Sequence, residues 1–388
     1  EIYTLSLHDA LPIWSAQKVI NALLAYLRDY PACAGRSMHH LAARVEQEVQ
    51  TARAKLAKFL GSKTPQEIIF TRNTTEGINL LANSFTWENG DQVIIGDKEH
   101  NSNLVPWLSL AQKKKIKLLI CPSNNDGTFS LDNFRQLLEQ NSQVRLVSLG
   151  LTSNLDGVSI PDKKIVQLAH QKHALVHFDG AQAVPHQSIN VNKLDTDFLS
   201  FSGHKMLAPS GMGVFYGKAK LLQTLQPFMV GGDTVAATTY HSVEFLPAPE
   251  KFEAGLQDYA GIIGLAAAVD YLQQVGMKQI QQTELAINQY LTTQCGQIEG
   301  LRLLGPADPK LRGGIFSFYL PGIDCHQIAM LLDKTFNIAV RSGQHCVHSW
   351  FAQKKITGSV RASFYFYNTL DEAEQFAQAL RKVINILR

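Results

Sequence analysis

Phe198-Leu199-Ser200-Phe201-Ser202-Gly203-His204-Lys205 is the stretch on which the reading of this chain turns. Residues 198–201 form an apolar run short enough for a buried strand. Gly203 permits a sharp turn at its end. Lys205 then follows at the carboxyl end of a strand, where open α/β sheets bind their ligands. A lysine in that place is ordinarily a solvated surface residue, so its meaning depends on what accompanies it.

Working outward, similar apolar runs occupy residues 92–95, 117–121, 144–149, 175–178 and 213–216. Helix-period segments lie near residues 104–114, 131–139 and 162–171. Strands that do not alternate with polar residues are buried on both faces. Their alternation with helices predicts βαβ units and an α/β, three-layer, mainly parallel sheet. After Gly255 the pattern changes. A long helical stretch over 262–298 precedes a strand-like run at 313–319, a helix at 326–334, a strand at 338–341 and a terminal helix at 371–387. This predicts a smaller α+β C-terminal domain. The expected division is an N-terminal segment 1–35 packed on the small domain, a large domain 36–260 and a small domain 261–388.

Composition narrows the function classes. The chain is 45% apolar and 18% charged, and its net charge is only +3. That balance argues against a nucleic-acid binder, and Lys113-Lys114-Lys115 reads as a solvated helix end. Cys33, Cys121, Cys295, Cys325 and Cys346 are an odd, sparse set without paired spacing. They point to a reducing, cytoplasmic setting rather than a disulfide framework. No apolar run reaches membrane-spanning length. The first residues lack a basic leader region, and the chain starts at Glu1.

Three further segments give Lys205 its context. His177-Phe178-Asp179-Gly180-Ala181-Gln182 places a carboxylate after an apolar strand. Pyridoxal 5′-phosphate (PLP) needs an acidic partner for its pyridine nitrogen, because the protonated ring is the better electron sink. Gln182 offers a donor for the phenolic oxygen. Alone, Asp179 reads equally well as a helix N-cap. Thr74 and Thr75, in Thr71-Arg72-Asn73-Thr74-Thr75-Glu76-Gly77, open a helix whose free N–H groups suit a phosphate. The plain alternative there is ordinary capping. His100 follows the 92–95 strand and is placed to stack on a ring or carry a proton; alone it reads as a structural histidine.

Taken in order, these segments resemble the class V, fold-type I PLP enzymes, and within them the group II cysteine desulfurases. The resemblance rests on Thr75-Glu76-Gly77-Ile78-Asn79, Glu99-His100, Ser153-Asn154, Asp179-Gly180-Ala181-Gln182, Ser202-Gly203-His204-Lys205, Phe252-Glu253-Ala254-Gly255, Arg341-Ser342-Gly343-Gln344-His345-Cys346 and Arg361-Ala362-Ser363. It implies that Lys205 bonds the cofactor, Asp179 partners the ring nitrogen and Gln182 the phenolic oxygen. It implies a phosphate cradle of Thr75, Ser202 and His204 with Thr74 beside them, and a ring-stacking His100. Asn154 and Arg361 look like ligands of the substrate carboxylate, with Arg341 and Arg36 also on the substrate side. Cys346 looks like the persulfide-forming cysteine. The family is homodimeric, each site being completed by the neighbouring subunit.

Four positions depart from the family pattern. The aromatic-Leu-Asp-x-Ala-Ala opening is replaced by Ser6-Leu7-His8-Asp9-Ala10-Leu11-Pro12. His-Arg-Gly-x-His reads Gly35-Arg36-Ser37-Met38-His39. Glu-Ala-Gly-Thr-Pro reads Glu253-Ala254-Gly255-Leu256-Gln257, without the threonine hydroxyl that contacts the partner's phosphate. Gly150-Leu151 precedes Thr152 where a Thr-His pair is often found.

Cys346 decides the chemistry. The other four cysteines read as small buried apolar side chains. Cys346 is expected on a loop beside Arg341, His345 and His348, which would favour the thiolate. His345, Cys346 and His348 match no common closed zinc pattern, so no metal is expected. The reading is a PLP-dependent cysteine desulfurase that converts L-cysteine to L-alanine. Its sulfur passes to Cys346 as a persulfide, then to an acceptor protein for iron–sulfur or other thio-cofactor assembly. Selenocysteine lyase, another class V C–S lyase, and a non-catalytic scaffold are the alternatives.

Overall fold

A computed structural model describes residues 16–35 and 37–388 of the chain. Arg36 and the departure at residues 6–12 lie outside the described residues. Seven strands form the main sheet: β1 (Ile68–Thr71), β2 (Gln92–Gly96), β3 (Lys117–Cys121), β4 (Val144–Gly150), β5 (Leu175–Asp179), β6 (Phe198–Ser202) and β7 (Gly213–Gly217). Their order is β1-β7-β6-β5-β4-β2-β3. The β6-β5-β4-β2-β3 run is parallel, and β7 is antiparallel to both β6 and β1. Six strands therefore point one way, and β7 opposes them.

Alternate residues of one strand enter different cores. Ile94 packs with Val147 and Phe178 on one face. Val93 and Ile95 pack with Ile78 and Trp107 on the other. Both faces are thus covered by helices, which is why the strands read as unbroken apolar runs. Helices His40–Leu60 and Tyr259–Val275 supply the first layer; Thr74–Ser84 and Asn101–Lys114 supply the second. Helix Gln17–Asp29 packs along Tyr259–Val275. A buried ion pair fastens the first layer: Arg53 Nη1 and Nη2 donate to the Glu253 carboxylate at 2.7 and 2.8 Å. Glu253 also accepts the Phe70 N–H of β1 at 2.7 Å.

An exposed two-stranded ribbon follows, β8 (Val235–Thr238) and β9 (Val243–Phe245). A second, antiparallel sheet holds β10 (Arg302–Leu303), β11 (Ile315–Tyr319), β12 (Arg341–Gly343) and β13 (Ser359–Ser363) in the order β10-β11-β13-β12. Helices Met277–Cys295, Cys325–Phe336 and Leu370–Leu387 back it, around a core that includes Phe316, Phe318 and Phe376.

Three expectations need correction. The long helix over 262–298 is two helices, because Gly276 takes φ 89°, a conformation that ends the first helix. The strand expected at 338–341 begins only at Arg341; Ile338 is buried by packing rather than by ladder pairing. Strand β1, only four residues long, was not anticipated.

Candidate active site

Five predicted strands extend one residue beyond their last apolar side chain. Those added residues include Gly96, Gly150, Asp179 and Ser202, and all four line a single cavity of about 280 Å³. The cavity lies at the carboxyl ends of the parallel strands, as expected for an open α/β sheet. Of the residues singled out from the sequence, Lys205, Asp179, Gln182, Thr74, Thr75, Ser202, His204, His100, Asn154, Arg341 and Arg361 all line it. Cys346 is not among the lining residues, but its Sγ lies 3.4 Å from Nη2 of Arg341, which is.

At one end, Asn73 caps helix Thr74–Ser84 by accepting the Glu76 N–H at 3.0 Å. Asn73 therefore takes the capping role that the sequence reading offered to a threonine. Thr74 and Thr75 become the first helical residues, whose N–H groups have no intrahelical partner. Thr74 N donates to Ser202 Oγ at 2.9 Å, and the two hydroxyl oxygens lie 2.7 Å apart. Thr75 Oγ1 is 2.7 Å from Ser102 Oγ, a pocket residue that sequence reasoning missed. Burial, then Lys205, pushes His204 down to about 4, so its ring is neutral. Hydroxyls and a helix N-terminus in one corner make an anion cradle.

Lys205 sits on the tight turn Gly203–Met206 that follows β6. Burial pushes its ammonium down to about 8; Asp179 opposes the shift, while Arg361 and Arg341 add to it. Burial raises the Asp179 carboxyl, against the pull of the Ala181 N–H and Lys205. That N–H bonds Asp179 Oδ1 at 2.8 Å. Gln182 Nε2 is buried in the same wall with no hydrogen-bond partner among the described residues. A buried amide donor of this kind calls for an acceptor from outside the protein. His100 caps helix Asn101–Lys114: its Nδ1 accepts the Ser102 N–H at 3.0 Å. Burial, then Lys205, lowers it to about 3. The neutral ring therefore carries its proton on Nε2.

Arg341 and Arg361 are direct cross-strand partners on β12 and β13. Like charges placed opposite each other on a sheet repel, so an anion between them is favoured. Arg361 is fully buried and donates through Nη1 to the Asn154 carbonyl at 2.8 Å. Arg341 Nη2 reaches Cys346 Sγ at 3.4 Å. Cys346 is half-buried on the turn after β12, the loop the sequence predicted. Of the three basic neighbours expected around the thiol, the hydrogen-bond geometry gives this contact to Arg341. The His345 ring is buried and its Nε2 bonds Ser359 Oγ at 2.8 Å, while His348 Nδ1 meets Asn101 Nδ2 at 2.8 Å. Gln257 does not reach outward in place of the absent threonine. Its Nε2 donates within its own turn, to the Ala254 and Gly255 carbonyls. Cys121, Cys295 and Cys325 are buried as expected, but Cys33 is only partly so.

A buried polar network beneath the pocket was not foreseen. Glu99 accepts from Gly96 N, Gly150 N and Asn103 Nδ2, and burial raises its carboxyl to about 8. Ser148 Oγ donates to Asn103 Oδ1 at 2.6 Å and meets His177 Nδ1 at 2.8 Å. His177 Nε2 is 2.9 Å from Ser200 Oγ. The period-2 spacing of His177 and Asp179 along β5 was the available signal, since it puts both on one face.

Residues 12–376 match the family model described as aminotransferase class-V. The chain belongs to that family. A probable cysteine desulfurase of Streptomyces coelicolor is 36% identical, over 98% of this chain and 92% of its own length. A cysteine desulfurase of Enterobacter is 37% identical, over 96% and 92%. Among solved structures, the cysteine desulfurase of Thermococcus onnurineus NA1 superposes with a TM-score of 0.94 at 31% identity, covering 99% of this chain and 95% of that one. The cysteine desulfurase CsdA of Escherichia coli gives 0.90 at 30% identity, covering 99% and 95%. The fold-type I architecture expected from the sequence is therefore borne out.

Proposed function

We propose that the chain is a PLP-dependent cysteine desulfurase, converting L-cysteine to L-alanine and receiving the sulfur on Cys346. The observation that carries this reading is a pocket lined by one reactive group with a second bonded to its wall. Lys205 lines it, and Cys346 Sγ lies 3.4 Å from Nη2 of Arg341, itself a pocket residue. The family relationship supports it. The main-sheet domain, whose core includes helix Tyr259–Val275 rather than ending at residue 260, holds the cofactor in this reading, and the second sheet with its loops brings Arg341, Cys346 and Arg361 to it.

The residues present fit the cofactor. Thr74, Thr75, Ser202 and His204 would hold its phosphate, Asp179 its ring nitrogen and Gln182 its phenolic oxygen. When bound, PLP supplies an aldehyde for the amine and a ring that stores an electron pair. The low pKa of Lys205 leaves a useful fraction of neutral Nζ near pH 7 to take the substrate Cα proton. Arg361 and Arg341 hold the substrate carboxylate, with Asn154 beside them. His100 would lie against the ring and offer its Nε2 proton. The Cys346 thiolate attacks the substrate Sγ. The S–S bond forms as Cβ–Sγ breaks, the electron pair passes to the carbon side, and protonation there yields alanine. Cysteine plus enzyme thiol become alanine plus enzyme persulfide, so no external oxidant or reductant is consumed.

In this reading the enzyme is a cytoplasmic homodimer and passes its sulfur to an acceptor protein for iron–sulfur or thio-cofactor assembly. No helix among the described residues is long and apolar enough to cross a membrane. The test is an absorption spectrum and an alanine assay on wild type, Lys205→Ala and Cys346→Ala. Wild type should show a visible chromophore and make alanine. Lys205→Ala should lose both, and Cys346→Ala only the alanine. Alanine from Cys346→Ala at the wild-type rate would refute the sulfur-transfer assignment.

A further inference from the structure

The turn bearing Cys346 has an unusual backbone. His345 and Cys346 lie side by side in the left-handed region, at φ 49° and 60°. L-residues are disfavoured there, so the surroundings must hold them. Both carbonyls of this pair are indeed bonded by elements that build the pocket. Asn154 Nδ2 donates to the His345 carbonyl at 2.8 Å. Asn101 N donates to the Cys346 carbonyl at 2.8 Å. Asn101 opens its helix directly after His100, so its N–H has no intrahelical acceptor and is available. Its side chain grips the same turn again, with Nδ2 2.8 Å from Nδ1 of His348, the first residue of the helix after the turn.

We propose that Asn101 is a positioning residue for sulfur transfer. Its main-chain N–H and its amide hold the left-handed Cys346 turn in register with the pocket. His100, the preceding residue, faces the substrate side, so one short segment sets both the pocket wall and the sulfur acceptor. This inference rests on the desulfurase reading above.

The backbone offers a clean deletion. Proline is well tolerated at the first helical position, where the N–H makes no helical bond. Proline also requires an extended residue before it, and His100 already sits at φ −58° and ψ 146°. Asn101→Pro therefore removes the N–H that holds Cys346, together with the side-chain amide, while leaving the helix intact. Asn101→Ala keeps that N–H and removes only the amide. The measurement is a single turnover of holoenzyme with L-cysteine, following the cofactor absorbance change and, separately, persulfide on Cys346 by alkylation and mass spectrometry.

The expected result is a split between the two signals. In Asn101→Pro the cysteine-induced absorbance change stays within about two-fold of wild type, while persulfide formation slows about five- to ten-fold, about two-fold of it from the lost amide and the rest the size of one hydrogen bond. A second set of variants does not depend on proline. Asn101→Ala and His348→Ala should each slow persulfide formation by about two-fold, and the double variant no further, because both break one contact. Wild-type persulfide rates in all of these variants would overturn the inference, and so would equal slowing of both signals. Absence of persulfide on Cys346 in wild type would instead overturn the reading beneath it.

Discussion

Replacing Lys205 with methionine should make the cofactor-free protein more stable at neutral pH. Burial holds the Lys205 ammonium at about 8 against an ordinary 10.5. At pH 7 both folded and unfolded chains carry the proton, and the folded chain keeps it in the less favourable place. A difference of about 2.5 pH units corresponds to about 3 kcal/mol of lost stability. As pH rises through 8 the folded state releases the proton while the unfolded state still holds it. The penalty then shrinks, to about 1 kcal/mol at pH 10 by the same relation. Methionine keeps an unbranched stem of similar length and carries no charge. Unfolding entropy of about 2.1 cal/mol/K per residue over 388 residues is about 0.8 kcal/mol/K. The melting temperature of Lys205→Met should therefore exceed wild type by about 4 °C at pH 7 and by about 1 °C at pH 10. Thermal melts of both cofactor-free proteins at the two pH values read this directly. A variant no more stable than wild type at pH 7, or an advantage that persists undiminished at pH 10, would refute the reasoning.

Glu253→Ala should cost about 3–5 kcal/mol, because it leaves the buried Arg53 charge with only the Ile68 carbonyl and the Phe70 N–H with no acceptor; a thermal melt measures it, and a change under about 1 kcal/mol would contradict the role of the pair. Arg361→Lys should raise the KM for cysteine about ten-fold or more and leave the cofactor spectrum unchanged. A lysine cannot reproduce the planar contact that also spans to the Asn154 carbonyl; an unchanged KM would remove Arg361 from the substrate carboxylate.

The main sheet was legible because its strands are buried on both faces and read as apolar runs. The hydrophobic signal ends at the last apolar residue, although the ladder runs on through Gly96, Gly150, Asp179 and Ser202. Those end residues face the ligand cavity and carry no hydrophobic signal. Strand β1, Ile68-Ile69-Phe70-Thr71, is fully buried and no shorter than the runs that were read as strands, so its apolar signal was available and overlooked. Gly276 looks like any glycine within a helical pattern until its positive φ is seen. Lys205, Asp179 and Cys346 were readable as an ordered set, since each is ambiguous alone. The left-handed pair His345-Cys346 was not, because nothing in two non-glycine residues announces positive φ. His345 looked like a partner for the thiol, yet tertiary packing turns its ring toward Ser359. The Glu99–Asn103–Ser148–His177 network joins two strands and a helix, so only the sheet register brings it together.

Covalent mapping of both reactive positions in one sample probes the convergence of amine and thiol most directly. Holoenzyme would be given one equivalent of L-cysteine and divided, one half alkylated and kept free of reductant, the other reduced with borohydride, and both digested and sequenced by mass spectrometry. The account predicts a pyridoxyl group on the peptide containing residue 205 and an alkylated persulfide on the peptide containing residue 346. A cofactor fixed to a different lysine, or sulfur carried by one of the other four cysteines, would contradict it.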